Sequence, residues 1–104
     1  MAGRGILAQV KRINFRAAAS ADMRTVARET RAAWDEAQAY KYSRQLRDDI
    51  KSLAEFPLRF PVFESRPGLR RMNSGRHAVF YLVFDDRIEI VRVMHLARDF
   101  ERWL

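Results

Sequence analysis

Apolar residues recur at two different spacings along the chain. In residues 10–15 they alternate, which predicts a short strand with Ile13 and Phe15 on one face. From Ser20, a suitable N-cap, they fall three or four residues apart, as on one side of a helix. This predicts an amphipathic helix whose apolar stripe is Met23, Val26 or Ala27, Thr30 and Trp34, with Arg24, Arg28 and Arg31 on the opposite side.

A second helix is predicted to begin after Asp35. The Asp35 side chain suits an N-cap, and Gln38 stands where the reciprocal partner of a capping box belongs. The helix should end at about Ala54, because Pro57 disfavours helical geometry in the residue before it. Two amphipathic helices with almost no linker predict an antiparallel helical hairpin. The stripe of the second helix is Ala39, Tyr42, Leu46, Ile50 and Leu53.

The remainder of the chain has the spacing of strands. All 3 prolines lie in residues 57–68, which we interpret as a loop between helices and sheet. Strands are predicted at Leu69–Asn73, His77–Val83 and Ile88–Met94, joined by tight turns. In the last of these, alternation places Ile88, Ile90 and Met94 on one side and Val91 and Val93 on the other. The tail Asp99–Leu104 is predicted to form a helical turn that faces Phe100, Trp103 and Leu104 inward.

This order of elements predicts an α+β fold. It consists of an N-terminal strand, an antiparallel helical hairpin, an antiparallel three-strand meander and a short C-terminal helix, with the hairpin packed on one face of the sheet. Residues 1–9 show little pattern and are predicted to form an N-terminal arm. Residues 10–104 are predicted to form a single domain, since a chain of 104 residues has room for one modest core.

The amino-acid composition excludes several kinds of protein and functional site. The sequence has no cysteine, which excludes disulfides, a thiol nucleophile and Cys-ligated metal sites. No apolar run approaches the roughly 20 residues of a membrane span, and the first ten residues lack a signal-peptide core. We therefore expect a small soluble cytoplasmic protein that does not associate with membranes.

The charge balance indicates an acidic partner. Lys and Arg number 20 against 13 Asp and Glu, giving a net charge of +7. Only three of the cations are lysines, and arginine is the better ligand for phosphate and carboxylate groups. Nucleic acid, a nucleic-acid machine or an acidic protein are the partners that this composition favours. A GC-rich genome is an equally good explanation for the preference for arginine over lysine, although it explains the excess positive charge less well.

Few residues offer catalytic chemistry. No phosphate-binding glycine motif and no metal-ligand spacing is present, so we expect no cofactor, no metal and no stable small-molecule ligand. Arg70, His77, Tyr81 and His95 do fall in the predicted meander, where a base, an acid and cations together could cleave RNA without metal. The alternative is that these side chains are buried, hydrogen-bonded or solvated and have a structural role. Spacing alone favours that alternative.

Five short motifs occur in a fixed order along the chain. They are Trp-x-x-x-Gln-Ala-x-x-Tyr from Trp34, Leu-Ala-x-x-Pro from Leu53, Gly-Leu-Arg from Gly68, Ser-Gly-x-His-x-x-x-Tyr from Ser74 and Ile-x-Arg-Val-x-His from Ile90. Together with Ala21-Asp22-Met23, they make the sequence from about residue 10 onward resemble the RelE/ParE family of toxins from bacterial type II toxin–antitoxin modules. The family fold agrees with the order of elements predicted above.

The resemblance implies two competing targets. RelE-like toxins cut mRNA on the ribosome, whereas ParE-like toxins inhibit DNA gyrase and are not known as nucleases. The Trp34 motif, the Ser-Gly-x-His turn and the ending His95, Asp99, Leu104 resemble the ParE branch, and Leu96 stands where a His-Tyr pair would place tyrosine. Asp35 departs from the glycine that often follows the tryptophan. The ParE branch implies no catalytic residues; the ribonuclease alternative would use Arg70, His77, Tyr81 and His95.

Either branch implies an antitoxin as partner in a hetero-oligomer. Such antitoxins wrap a disordered, often acidic segment around the toxin, as a helix in an apolar groove or a strand on a sheet edge. The candidate contacts to the target are Arg70, Arg92, Arg98 and Trp103. A third hypothesis is a degenerate toxin that only binds its antitoxin.

Overall fold

The computed structural model describes residues 11–104, so the predicted arm 1–9 and Val10 lie outside the described residues. The α+β order predicted from the sequence is confirmed. Its elements are β1 (Arg12–Phe15), α1 (Ala17–Ala33), α2 (Glu36–Ser52), β2 (Arg70–Ser74), β3 (His77–Val83), β4 (Arg87–His95) and α3 (Phe100–Trp103).

The two long helices differ in how they begin. The prediction that Ser20 caps α1 is wrong, because α1 begins at Ala17 with Arg16 as its N-cap. Arg16 N–H is bound to Ile90 C=O of the sheet at 3.0 Å, so the chain turns into the helix directly after β1. The start of α2 is as predicted, since the Asp35 carboxylate accepts from Gln38 N–H at 2.8 Å. Within residues 11–104 no helix combines the length and apolarity that crossing a bilayer demands.

The four strands of residues 11–104 form one sheet in the order β1-β4-β3-β2. The antiparallel meander of β2, β3 and β4 is confirmed, and the sequence pattern did not predict that β1 joins it parallel to β4. Parallel pairing requires a long crossover connection, which the two helices provide. β1 covers β4 only from Arg87 to Ile90, so the second half of β4 is an edge.

A β-bulge in β4 overturns the predicted alternation of its side chains. Phe80 pairs with Arg92 and the next residue, Tyr81, pairs with Ile90, which leaves Val91 as the extra residue. Beyond the bulge the faces are exchanged. Val93 therefore packs with Ile88 and Ile90 on the helix side instead of opposite them.

The sheet has a core on each face. The inner face, under α1 and α2, holds the larger cluster, which includes Leu46, Ile50, Leu53, Met72, Val79, Tyr81, Ile88, Ile90 and Val93. The outer face is covered by the loop before β2 and by α3, and its cluster contains Leu69, Ala78 and Phe80 with Phe63, Leu82, Val91, Phe100 and Leu104 against them. The prediction that Trp103 faces inward is wrong, because 47% of this residue is exposed.

Candidate functional site

The β2–β3 turn docks on α2 through one phenol. The Tyr42 hydroxyl accepts from Arg76 N–H at 2.9 Å and lies 2.6 Å from His77 Nδ1, which it can supply with its own proton. Burial raises the pKa of Tyr42, with a smaller opposing effect of Arg76. Trp34 meets the Tyr42 ring edge-on at 5.0 Å between centroids. The Trp34 motif and the Ser-Gly-x-His turn therefore meet at this side chain.

Two neighbours complete the docking of this turn. Ser74 is buried, and its hydroxyl donates to Asp49 Oδ2 of α2 at 2.6 Å. Gly75 has a φ of +56°, and a Cβ at this position would lie 2.6 Å from Cε1 of Tyr42. Only glycine meets both requirements at once, because other residues strain in the left-handed region and would also collide with the ring. The Ser-Gly pair of the motif is thus explained by packing.

The two histidines lie together at this end of the sheet. His77 and His95 are register partners on β3 and β4, with ring centroids 5.3 Å apart. Burial lowers the pKa of His77, His95 lowers it further, and Glu29 opposes both. His95 Nδ1 accepts from Ala97 N–H at 3.1 Å, which puts the proton of the neutral ring on Nε2. Across the described part of the chain, no three ligating side chains group as a metal would require.

Arg70 and Tyr81 lie at the other end of β3. They are register partners on β2 and β3, and the Tyr81 hydroxyl donates to Pro57 C=O at 2.9 Å. Tyr81 is 0% exposed, and burial raises the pKa of its phenol. The Arg70 guanidinium donates to Phe60 C=O at 2.6 Å. Both side chains hold the loop before β2 against the sheet.

The four candidate ribonuclease residues therefore form two separate pairs. His77 and Tyr81 are four residues apart on one strand, which separates their Cα atoms by about 13 Å. A general acid and a general base must both come within hydrogen-bond reach of one phosphodiester. The structure brings His77 to His95 and Arg70 to Tyr81, and it does not bring the pairs together.

Arg92 stands at the edge of β4 and connects three elements. Its Nε and Nη2 donate to the two carboxylate oxygens of Asp22 on α1 at 2.7 and 2.9 Å. Its Nη1 donates to Trp103 C=O at 3.1 Å. The hydrogen bonds to Asp22 raise the pKa of Arg92. This predicted target contact is thus already engaged within the fold.

Arg98 and Trp103 form the exposed C-terminal rim. The Arg98 guanidinium stacks 4.8 Å from the centroid of a Trp103 ring, and both residues are exposed. Arginine stacked on an exposed aromatic ring is typical of residues that dominate protein interfaces. Of the four predicted target contacts, these two have side chains free to meet a large partner.

A groove runs along the helical hairpin on the opposite side of α1 from Asp22. One part, about 460 Å³, is lined mainly by apolar side chains of β1, α1 and α2, among them Phe15, Met23 and Ile50. A second part, about 590 Å³, continues between the helices. Arg47 and Lys51 line both parts, so these two cations lie where the parts meet. Further cations of the second part are Arg31 and Arg44, with Glu36 and Asp48 opposing them.

Sequence reasoning missed three features of these surfaces. Arg47, which lines a groove, was not among its candidate contacts, and it used Tyr42 only in an apolar stripe and a motif. Asp22 entered only as part of a matching triplet. The available signals were the hydroxyl of Tyr42 in an apolar stripe and the carboxylate of Asp22 near the start of α1. Neither reveals its hydrogen-bond partner, which lies 34 residues away for Tyr42 and 71 for Asp22.

Comparison with known proteins gives a consistent result. Residues 13–100 match the family model described as ParE toxin of type II toxin-antitoxin system, parDE. The chain is 40% identical over 78 residues to Toxin ParE1 of Caulobacter vibrioides, covering 74% of this chain and 80% of that protein. It is 37% identical over 71 residues to Toxin ParE1 of Mycobacterium tuberculosis, covering 66% and 72%.

A solved structure agrees in fold. A chain of the chromosomal ParDE system from P. aeruginosa superimposes with a TM-score of 0.71, over 84% of this chain and 97% of that one, at 16% identity. At that identity the likeness concerns the fold, and the sequence matches establish the family. The chain belongs to the ParE family of toxins from type II toxin–antitoxin systems.

Proposed function

We propose that this toxin inhibits DNA gyrase in the bacterial cytoplasm, without enzymatic activity of its own, and that a cognate antitoxin neutralises it. Inhibition of a large enzyme requires only a surface that binds one of its states better than the others. Membership of the ParE family supports this target over the ribosome.

The single observation that carries the proposal is the separation of the two titratable pairs. His77 is engaged with Tyr42, and the Tyr81 hydroxyl is bound to Pro57 C=O inside the core. In each pair one titratable side chain is enclosed, His77 at 7% and Tyr81 at 0% exposure, so neither pair presents an acid and a base together to a phosphate in solvent. An inhibitor that acts by binding needs no such arrangement, whereas a ribonuclease does.

The exposed rim is the proposed gyrase contact. Arg98 and Trp103 lie on the tail, away from the groove of the helical hairpin. Arg70 and Arg92, the other two predicted contacts, serve the fold through their hydrogen bonds to Phe60, Asp22 and Trp103. The proposal therefore assigns target recognition to the rim and structural roles to the two engaged arginines.

A supercoiling reaction with purified, antitoxin-free toxin tests this function. We expect loss of supercoiling and accumulation of linear DNA, both abolished by added antitoxin. Trp103→Ala should weaken inhibition at least about tenfold, as for a central interface aromatic. Phe56→Ala is the matched control, because Phe56 is also exposed, at 60%, but lies in the loop after α2. Untouched gyrase in the presence of growth arrest would overturn the proposal and favour ribonuclease activity; absence of both effects would identify a degenerate toxin.

The groove of the helical hairpin is the proposed antitoxin site. Its apolar floor and the two cations Arg47 and Lys51 complement an acidic amphipathic segment. The net charge of +7 should accelerate the encounter and make it salt-sensitive. The part of the edge strand β2 beyond Arg71, past the bridge between Val62 and Arg70, is an additional place for an extended part of the same segment.

Charge reversal tests the groove. In the double variant Arg47→Glu, Lys51→Glu, we expect at least about tenfold weaker binding of the purified antitoxin, with a smaller salt dependence of association. The double variant Arg59→Glu, Arg66→Glu changes the net charge equally but alters the loop before β2, and it should bind nearly normally. Equal loss in both double variants would contradict the assignment of the groove.

A further inference from the structure

The edge of β4 beyond β1 is capped by a side chain of α1. Because β1 pairs only as far as Ile90, Val93 N–H faces away from β3 with no strand of residues 11–104 beside it. The Asp22 carboxylate accepts this N–H at 2.8 Å, through the same Oδ2 that accepts from Arg92 Nε. An unpaired backbone donor at a sheet edge is thus satisfied by one carboxylate.

Asp22 also determines where the Arg92 guanidinium points. The bidentate contact orients the planar group and leaves Nη1 to donate to Trp103 C=O. The Arg92 and Asp22 side chains are only 20% and 14% exposed. Solvent screens such a pair less than a surface pair, so its geometry is better defined. The chain of contacts leads from α1, around the edge of the sheet, to the last turn of α3.

The C-terminal helix needs such external support. α3 has four residues, far fewer than an isolated helix requires. Its inner side packs through Phe100 against Phe63 and Phe80, with centroids 6.3 and 5.0 Å away. Glu101 accepts a hydrogen bond from Ser65. These contacts hold the start of α3, and Arg92 is the polar contact to its last residue.

We propose that Asp22 is a positioning residue for the C-terminal rim: by orienting Arg92 it fixes the Trp103 carbonyl and thereby presents Arg98 and Trp103 in one arrangement. The positioning itself rests on the contacts above. Its consequence for gyrase rests on the proposed function, because only that function makes the rim the target contact.

Amide hydrogen exchange tests the positioning directly. Asp22→Asn keeps the shape and can still accept from Val93 N–H, but it removes the charge that orients Arg92. We expect the amides of Arg102 and Leu104, which close α3, to exchange about tenfold faster.

The matched control for Asp22→Asn is Glu89→Gln. Glu89 is also a carboxylate that holds two arginines beside β4, Arg16 and Arg87, and its side chain is 18% exposed. It has no contact with the tail among its hydrogen bonds in the described residues. The proposal would be overturned if the tail amides exchanged at the wild-type rate in Asp22→Asn. It would also be overturned if Glu89→Gln accelerated their exchange as much as Asp22→Asn does.

A double variant shows whether Asp22 acts through Arg92. Arg92→Gln should by itself accelerate tail exchange, and adding Asp22→Asn should change it little further, because the second change removes a contact already lost. If the double variant instead multiplied the two accelerations of tail exchange, Asp22 would support the tail by a route other than Arg92, which would contradict the proposal. Gyrase inhibition by the same variants should weaken in parallel with exchange. If the wild type leaves gyrase untouched, the proposed function fails while the exchange result still decides the positioning.

Discussion

The two faces of the sheet are covered very differently. On the inner face, α1 and α2 contribute 17 residues each and enclose large side chains such as Leu46, Tyr81 and Ile88 completely. On the outer face, a loop and the four-residue α3 cover a smaller cluster around Phe80. The outer cover leaves Trp103 half exposed.

Under the proposed function, this difference separates the residues that stabilise the fold from those that contact gyrase. A side chain enclosed on the inner face cannot meet a partner without unfolding the domain, so enclosed motif residues such as His77 and Tyr81 have packing roles. The thinner cover of the outer face contributes less to the stability of the domain, and it leaves the residues at its rim accessible to a partner. The rim residues Arg98 and Trp103 lie outside the five motifs.

The largest expected effect contrasts a leucine from each face. Leu46→Ala, on the inner face, should lower the free energy of unfolding by about 3 kcal/mol, because the removed atoms leave a cavity among fixed neighbours. Leu104→Ala, on the outer face, should cost less than about 1 kcal/mol, since Leu104 is only partly buried against the smaller cluster. Denaturant titration measures both values. Similar losses would contradict the contrast between the faces.

The next effect concerns the turn that docks on the inner face. Gly75→Ala should cost about 2–3 kcal/mol, since it adds a left-handed backbone penalty to a collision with Tyr42. Gly68→Ala is the control: its φ is also positive, at +75°, but its Cβ would meet only Leu82 Cδ2 at 3.9 Å. It should cost about 1 kcal/mol, all of it backbone strain. Thermal unfolding measures the loss of stability in both variants. An equal loss would mean that a Cβ at Gly75 does not collide with Tyr42.

Removing a single hydroxyl should have a smaller effect. Tyr42→Phe leaves Arg76 N–H and His77 Nδ1 without their partner and should cost about 1–2 kcal/mol. Tyr40→Phe changes an exposed tyrosine of the same helix, whose hydroxyl accepts from Arg44, and should stay within about 0.5 kcal/mol. Chemical denaturation of the two variants measures both costs. An unchanged free energy of unfolding in Tyr42→Phe would show that water replaces the hydroxyl.

The smallest expected effect is a pH dependence. The pKa of His77 is lowered in the folded protein by burial and by His95, so the unfolded chain binds the proton more readily. The contribution of His77 to the free energy of unfolding should therefore be fully present above the pKa of the unfolded histidine, about 6.5, and should decrease as the pH drops below it. The groups that face His77 are His95, Glu29, Tyr42 and Arg76.

Unfolding measured from pH 8 to 5.5 tests this dependence. His77→Gln should flatten the profile over that range. The carboxylates of Asp86 and Glu89, whose pKa values are lowered by Arg87, lose their contribution only at lower pH. A slope that persists in His77→Gln would assign the effect to another group.

Much of this fold follows from spacing along the chain. The stripes of α1 and α2, the Asp35 cap and β3 at His77–Val83 are as predicted, because a period of 3.6 or 2 residues and a local cap depend on near neighbours only. The predicted start of α1 at Ser20 failed, since a hydrogen bond from Arg16 to the sheet sets that boundary. The side chains of β4 beyond Val91 were assigned to the wrong faces because an extra residue interrupts the alternation.

The candidate site depended even more on distant contacts. The residue types and motifs indicated a basic toxin of the RelE/ParE family and the residues to consider. They did not indicate that His77 and Tyr81 belong to separate pairs, or that Arg92 is engaged with Asp22, 70 residues away in the sequence.

The sequence by itself thus determined the elements, their order, the positive charge and the family, because each is carried by local spacing, by composition or by ordered motifs. The tertiary structure decided which arginines remain available and which polar groups are enclosed. Those properties arise only when segments far apart in the chain exclude water between them, and one carboxylate or phenol then satisfies donors from several elements.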